Sequence, residues 1–341
     1  MQNAALGLIV LIIAGAMNGS FTLPMKFTRS WAWENTWLAW TLFALFFLPP
    51  VVTFISLPNV REIYSEPGMM HVAGVVAACG AGWGISQVFF GLAVDSIGIA
   101  LAFSVILGLA AAVGGVVPVL RDHPDKIFSA GGLGVFAGLA LVVVGVGICA
   151  VAGRRREKAL GLGPQPGKAS LGMGLLYCVF SGLGSALVGI GLDSGTPLLS
   201  AVTAHQGSQL WAPMSAWLPL MLAGGIPNLV YCIYLLNKNR TGHKFSLPGT
   251  GGYWLLGFVM AFFWFASTVM YGIAKDLFGT WGTALAWPMF MSLIVITASV
   301  HGIRTGEWKN TGPAPLRIQL SGLGVLILAV IVLQFAGQWV Q

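Results

Sequence analysis

Long apolar runs separated by short polar segments fill the whole chain. A membrane-spanning helix needs about 20 consecutive apolar residues, and ten runs approach or exceed that length. The polar segments between them are too short to form folded domains. The pattern therefore predicts an all-α polytopic membrane protein with ten transmembrane helices. They lie at about 4–25, 35–56, 70–92, 97–119, 130–152, 170–192, 209–236, 253–274, 280–302 and 318–338.

The longest polar interruption divides the ten predicted helices into two groups of five. It covers residues 153–169 and holds five of the seventeen Lys and Arg residues, with Pro164 and Pro166 near its centre. Proline and glycine in such a stretch favour a linker. We therefore expect a five-helix repeat at 1–152, a basic cytoplasmic linker, and a second five-helix repeat at 170–341.

The two halves share a duplicated stretch. WGISQVFFGLAVDSIG begins at Trp83, and WFASTVMYGIAKDLFG begins at Trp264, at a constant offset of 181. Because each half has an odd number of helices, the second half must enter the membrane from the opposite side. This predicts two inverted-topology repeats, an arrangement of transporters whose binding site lies near the midplane. The coincident positions include Trp83/Trp264, Ser86/Ser267, Gly91/Gly272, Ala93/Ala274, Asp95/Asp276 and Gly98/Gly279.

Composition agrees with a membrane protein and argues against a nucleic-acid partner. The chain is 57% hydrophobic and 8% charged, whereas soluble domains carry about 25% charge. The net charge of +7 comes from basic residues in short loops, where membrane topology accounts for them. Thirteen of the seventeen lie in one alternating set of loops, which favours a cytoplasmic linker and external termini. We expect a bacterial inner-membrane protein in the lipid bilayer, as a monomer or homodimer.

Helical spacing groups polar side chains around each duplicated tryptophan. Ser86 and Gln87 follow Trp83 by three and four residues, so the three share one helix face. Asp95 lies twelve residues beyond Trp83, which is about 18 Å along a helix. An aspartate at the membrane interface would therefore place Trp83 near the midplane. In the second copy Ser267 and Tyr271 follow Trp264 at helical spacing, and Asp276 lies twelve residues beyond it. The same distance, measured from the opposite side of the membrane, places Trp264 near the midplane as well.

Two aromatic and hydroxyl patches at one depth suit a small polyhydroxylated solute. Indole faces cover the C–H side of a sugar ring, while hydroxyl and amide groups bond its OH groups. Asn18, beside Gly19, is a further candidate for the cavity wall. The alternative is that these small and aromatic residues pack helices together.

Ionisable residues offer few candidates for proton coupling. No carboxylate falls in the middle of an apolar run, so an obvious buried proton relay is missing. The candidates are helix-end groups, namely Glu34, Asp95, Asp276 and Lys26. For the two aspartates the alternative role is N-capping of the following helix. The sequence has no phosphate-binding loop, metal-ligand cluster or nucleophile elbow, so no enzyme activity, cofactor or metal is expected.

Two tryptophan-containing motifs resemble a known transporter family. They are Trp31-Ala-Trp33-Glu34-Asn-Thr-Trp37 and Glu307-Trp308-Lys309-Asn310. On these motifs and weaker glycine patterns the chain resembles the L-rhamnose–proton symporter family, within the drug/metabolite transporter superfamily. The resemblance implies ten helices in two inverted repeats and uptake of a deoxy sugar with protons. Superfamily members often keep both termini in the cytoplasm, which leaves the orientation open.

The sequence differs from the family pattern where it bears on the solute. It is less basic after the first run, where Lys26 and Arg29 stand, and less rich in amides around Gln87. We expect a secondary transporter that imports a small neutral sugar, L-rhamnose or a similar deoxy sugar, by proton symport with alternating access. The alternatives are an exporter of a small hydrophobic metabolite and a non-transporting membrane sensor.

Overall fold

The computed structural model describes residues 3–161 and 171–340, and within these ranges the chain is helical without β-strands. Ten described stretches are long and apolar enough to cross a membrane, as expected from the sequence. The α-helices are α1 (Ala4–Ser20), α2 (Trp33–Thr41), α3 (Leu48–Ser56), α4 (Val60–Ser65), α5 (Met69–Ile97), α6 (Ile99–Asp122), α7 (Ala130–Ala159), α8 (Leu171–Gly184), α9 (Ala186–Ser194), α10 (Thr196–Ala204), α11 (Met214–Lys238), α12 (Gly251–Leu277), α13 (Gly282–Arg304) and α14 (Pro313–Val340).

Two of the predicted spans are interrupted helices. The second consists of α2 and α3 joined by a π-helical segment, Leu42–Phe47. The sixth consists of α8, α9 and α10 in succession. The π-helical segment is difficult to anticipate, because the apolar pattern continues through it. The break between α9 and α10 falls in the polar stretch 193–197, beyond the predicted end of the span at 192.

The fifth predicted helix extends beyond its expected end at residue 152. α7 continues through Ala159 and includes the basic residues Arg154–Lys158, and residues 162–170 lie outside the described part. Arg, Lys, Glu and Ala are good helix formers, and positive charge is favourable at a helix C-terminus. Local propensity therefore extends the helix beyond its apolar run.

The chain forms two compact units, and each contains helices from both sequence halves. One, here called unit 1, consists of Met1–Ser20, Phe89–Leu183 and Ala266–Gln341. Its core includes the fully buried Leu11, Leu326 and Leu333. Within it α7 packs along α14, and α1 packs along α13.

Unit 2 consists of Phe21–Val88 and Gly184–Phe265. In this unit α11 packs against α2, the π-helical segment and α3. Glycines bring α5 into backbone contact with α11. A Cβ atom added at Gly84 would lie 2.2 Å from the carbonyl oxygen of Gly224, and one at Gly80 would lie 2.1 Å from that of Leu220.

The duplicated stretches end their helices in the same backbone conformation. Gly98 and Gly279, which match in the sequence alignment, have φ angles of +85° and +73°. Glycine adopts this left-handed conformation without the steric cost that other residues have. The division into two inverted repeats stays a prediction from the sequence.

The alternative role of the duplicated aspartates, N-capping of the following helix, is wrong for Asp276. This residue is exposed in the last turn of α12, whereas the N-cap of α13 is Trp281. The helix continues past Gly272 to Leu277, so Asp276 lies within α12 and not at the start of α13. The side chain of Asp95 lies outside the described residues, and the N-cap of α6 is Gly98.

We predict that Gly84→Ala destabilises the protein, because the added methyl group would overlap the Gly224 carbonyl oxygen. Overpacking of this kind costs about 1–3 kcal/mol. Gly74→Ala is the matched control, since it lies in the same helix with nothing within 4 Å of its added Cβ. Thermal unfolding of the purified variants in detergent should show a lower melting temperature for Gly84→Ala alone. Equal melting temperatures would contradict the close α5–α11 packing.

Candidate functional site

The two duplicated tryptophans lie against each other in unit 2. The rings of Trp83, on α5, and Trp264, on α12, are nearly parallel, with 6.2 Å between centroids and an interplanar angle of 16°. Both side chains are half-buried. The structure thus brings together the pair on which the predicted binding site depends.

Further aromatic rings on α2 extend this pair into an indole cluster, which we define as Trp83, Trp264, Trp40 and Trp37. The ring of Trp40 meets Trp264 edge to face at 5.3 Å and lies 4.6 Å from Trp37. Edge-to-face and offset geometries are the preferred contacts of aromatic rings. The sequence interpretation missed Trp40. Its spacing of three residues after Trp37, which itself follows Trp33 by four, is the helical signal that would have revealed it.

Gly224 provides the space that the Trp83 ring occupies. A Cβ atom at Gly224 would lie 2.6 Å from Cε3 of Trp83. Because this glycine also contacts the backbone of α5, the same small residue fixes the helix spacing and the ring position. The orientation of Trp83 is therefore set by packing on α11.

The two polar residues predicted beside Trp83, Ser86 and Gln87, differ in burial. Ser86 is buried, and its hydroxyl group donates a hydrogen bond of 2.7 Å to the carbonyl oxygen of Trp83 in its own helix. Its oxygen keeps acceptor capacity for a solute hydroxyl, since a serine oxygen has two lone pairs. Gln87 is half-buried on the same helix.

The remaining predicted binding residues form a separate group in unit 1. The side-chain amide of Asn18 donates a hydrogen bond of 2.8 Å to the hydroxyl oxygen of Ser267, and both residues are buried. Tyr271 is buried between two other aromatic rings, 5.1 Å from Phe290 and 5.4 Å from Trp287. The seven predicted residues thus fall into a group of four in unit 2 and a group of three in unit 1.

Glu34 is the buried one of the three proton-coupling candidates whose side chains the structure describes. Only 4% of it is exposed, and its Oε1 atom accepts hydrogen bonds from the Thr241 hydroxyl at 2.6 Å and the Asn239 amide at 3.0 Å. Its place in the first turn of α2 is favourable for a negative charge. Lys26 and Asp276 are exposed. The Asp95 side chain is outside the described part.

Comparison with known proteins identifies a family. A family model described as L-rhamnose-proton symport protein matches residues 1–337. An L-rhamnose-proton symporter of Pectobacterium atrosepticum is 27% identical over 334 residues, covering 95% of each chain. Those of Mannheimia succiniciproducens and Shigella dysenteriae are 26% and 25% identical, over 342 and 354 residues. The Mannheimia match covers 95% of both chains, and the Shigella match covers 96% of this chain and 97% of the relative.

We predict that Ser267→Ala destabilises the protein, because it leaves the buried Asn18 amide without its acceptor. An unsatisfied buried polar group costs about 1–3 kcal/mol. Ser292→Ala is the control: Ser292 is also buried in unit 1, but its hydroxyl bonds only the Pro288 carbonyl of its own helix. Thermal unfolding should show the larger decrease for Ser267→Ala. An equal decrease for both variants would show that the Asn18–Ser267 bond adds no particular stability.

Proposed function

The chain belongs to the L-rhamnose-proton symport protein family, and on that basis we propose that it imports a small neutral sugar of the L-rhamnose type together with a proton. The relatives are bacterial sugar–proton symporters, and ten stretches suit membrane spans. The chain is therefore a multi-pass transporter of the bacterial inner membrane and not an enzyme. The names of these relatives favour sugar import over the exporter and sensor alternatives.

The indole cluster is the observation that carries the proposal of a sugar site. Two nearly parallel indole rings present flat apolar faces, which match the C–H face of a sugar ring. A deoxy sugar such as L-rhamnose has a methyl group and hydroxyl groups, so it combines apolar and polar surface. Ser86 and Gln87, on the same helix as Trp83, would bond its hydroxyl groups.

Charge supports a neutral solute. No Lys or Arg is buried in residues 3–161 and 171–340, although a buried anion requires a paired positive charge. Asn18, Ser267 and Tyr271 stay binding residues predicted from the sequence.

Transport would proceed by alternating access. In this scheme the two inverted repeats predicted from the sequence rock about a central site, as in other transporters built from such repeats. The same architecture would place the chain in the drug/metabolite transporter superfamily. The interrupted helices α2–α3 and α8–α10 supply backbone irregularities of the sort found in transporter spans.

Proton coupling is assigned to Glu34. A carboxylate changes charge when it binds a proton, and a buried one exchanges its hydrogen-bond partners when it does so. Protonation of Glu34 would turn one of its oxygens into a donor, which changes its interaction with Thr241 and Asn239. Asp276 is exposed and beside Lys275, with 3.8 Å between the charged groups, so it is less suited to drive such a change.

We predict that Trp83→Ala and Trp264→Ala each weaken sugar binding. Loss of one buried aromatic contact removes about 1.5–3 kcal/mol, which corresponds to roughly ten- to a hundred-fold in Kd. Titration of purified protein with L-rhamnose, and uptake into vesicles with an imposed pH gradient, measure the effect. Trp339→Ala, at an exposed tryptophan in unit 1, is the control. Wild-type affinity in both tryptophan variants would show that the indole cluster does not bind the sugar.

We predict that Glu34→Gln abolishes sugar accumulation driven by a pH gradient. The amide keeps the size of the side chain but cannot carry the proton. Exchange of labelled for unlabelled sugar across the vesicle membrane needs no net proton movement and should persist. Glu62→Gln, at an exposed glutamate, is the control. Normal accumulation in Glu34→Gln, with its loss in Asp276→Asn, would move the coupling role to Asp276.

A further inference from the structure

Trp40 combines deep burial with an unused hydrogen-bond donor. The residue is 4% exposed, and its indole Nε1 atom is inaccessible to solvent and has no hydrogen-bond acceptor within the described residues. Buried polar groups of native proteins are normally hydrogen-bonded, and an exception calls for an explanation. A tryptophan N–H can only donate, so the missing partner must be an acceptor.

Two other indole groups show the usual arrangement, whereas Trp281 in unit 1, whose ring stacks on His123, shares with Trp40 the lack of an acceptor among the described residues. Trp31, which is buried in unit 2 like Trp40, donates from Nε1 to the carbonyl oxygen of Lys244 at 3.1 Å. Trp287, in unit 1, donates to the carbonyl oxygen of Ala110 at 2.9 Å. The fold therefore can satisfy a buried indole with a backbone carbonyl, and at Trp40 it does not.

Trp40 lies among the rings of the proposed sugar site. Its ring lies 5.3 Å from Trp264, the ring that is parallel to Trp83, and 6.0 Å from Phe21. The unused donor is thus carried by a ring of the indole cluster. A sugar that stacks on this cluster brings hydroxyl oxygens, which are hydrogen-bond acceptors, to the same place.

The backbone after Trp40 is irregular at the same point. Thr41 is completely buried, and its hydroxyl group also has no hydrogen-bond partner in the described part of the chain. The π-helical segment Leu42–Phe47 begins at the next residue. Single π-helical turns occur frequently at functional sites. Thr41 lies about 100° further round the helix than Trp40, so we assign the ligand bond to Trp40, which contacts Trp264.

We propose that the Trp40 indole N–H donates a hydrogen bond to a hydroxyl oxygen of the bound sugar and selects for the sugar that carries that hydroxyl group. This rests on the proposed function, because it takes the indole cluster as the sugar site. It adds a specific polar contact to a cluster that otherwise offers aromatic faces. Specificity follows, since a site with a buried donor rejects an analogue that leaves the donor unpaired.

The test compares Trp40→Phe with wild-type protein in binding titrations. Phenylalanine keeps an aromatic ring and removes the N–H group. The probes are L-rhamnose and its analogues, each lacking one hydroxyl group. We expect Trp40→Phe to bind L-rhamnose about ten-fold more weakly. One analogue should bind the two proteins equally, because it already lacks the hydroxyl group that Trp40 bonds.

Trp31→Phe is the matched control, since its N–H group is already used by the Lys244 carbonyl. It should lower the melting temperature and leave the affinity for every sugar unchanged. Equal affinity of Trp40→Phe and wild type for L-rhamnose and all analogues would overturn the inference and leave the proposed function standing. A uniform loss of affinity for every analogue would also overturn it, because it would indicate a changed ring position. Failure of the wild-type protein to bind any neutral sugar would overturn both proposals.

Discussion

A lipid bilayer offers no water to a buried polar group, and this constraint organises the polar side chains of the protein. Asn18 bonds Ser267, and Glu34 accepts bonds from Thr241 and Asn239. Each pair joins parts of the chain that are more than 200 residues apart, so the polar groups also hold distant helices together. Against this background an unpaired buried donor such as the Trp40 indole group is informative.

Small residues allow close contact between helices, on which the fold also depends. Helices in a membrane gain little from apolar side chains alone, because the lipid is as apolar as they are, and small residues allow tighter packing. In unit 2 Gly84 lies against the backbone of Gly224, and Gly224 also accommodates the Trp83 ring. In unit 1 Gly138 of α7 lies against Leu333 of α14. Gly224 thus accommodates both the close approach of α5 to α11 and the Trp83 ring.

The sequence predicted the number and place of the spans well, because each needs a long apolar run that little else in a protein resembles. It also predicted the meeting of Trp83 and Trp264, since a duplicated aromatic residue at matched depth is a specific signal. Helix ends were harder. The predicted ends of these two spans were 92 and 274, but α5 ends at Ile97 and α12 at Leu277, shortly before the left-handed Gly98 and Gly279. The π-helical segment and the role of Trp40 depend on contacts with neighbouring helices, and no local pattern contains that information.

Under the proposed function, the helix α2 can couple sugar binding to proton binding. Glu34 and Trp40 lie on this one helix, six residues apart, which is about 9 Å along its axis. Coupling requires that each ligand binds one conformation of a shared element better than the other. A sugar bonded to Trp40 and a proton on Glu34 act on the same short helix, which the π-helical segment separates from α3. A rigid helix with a ligand near each end transmits a displacement directly. On this argument the protein needs no long chain of buried acids, and none of the described carboxylates forms one.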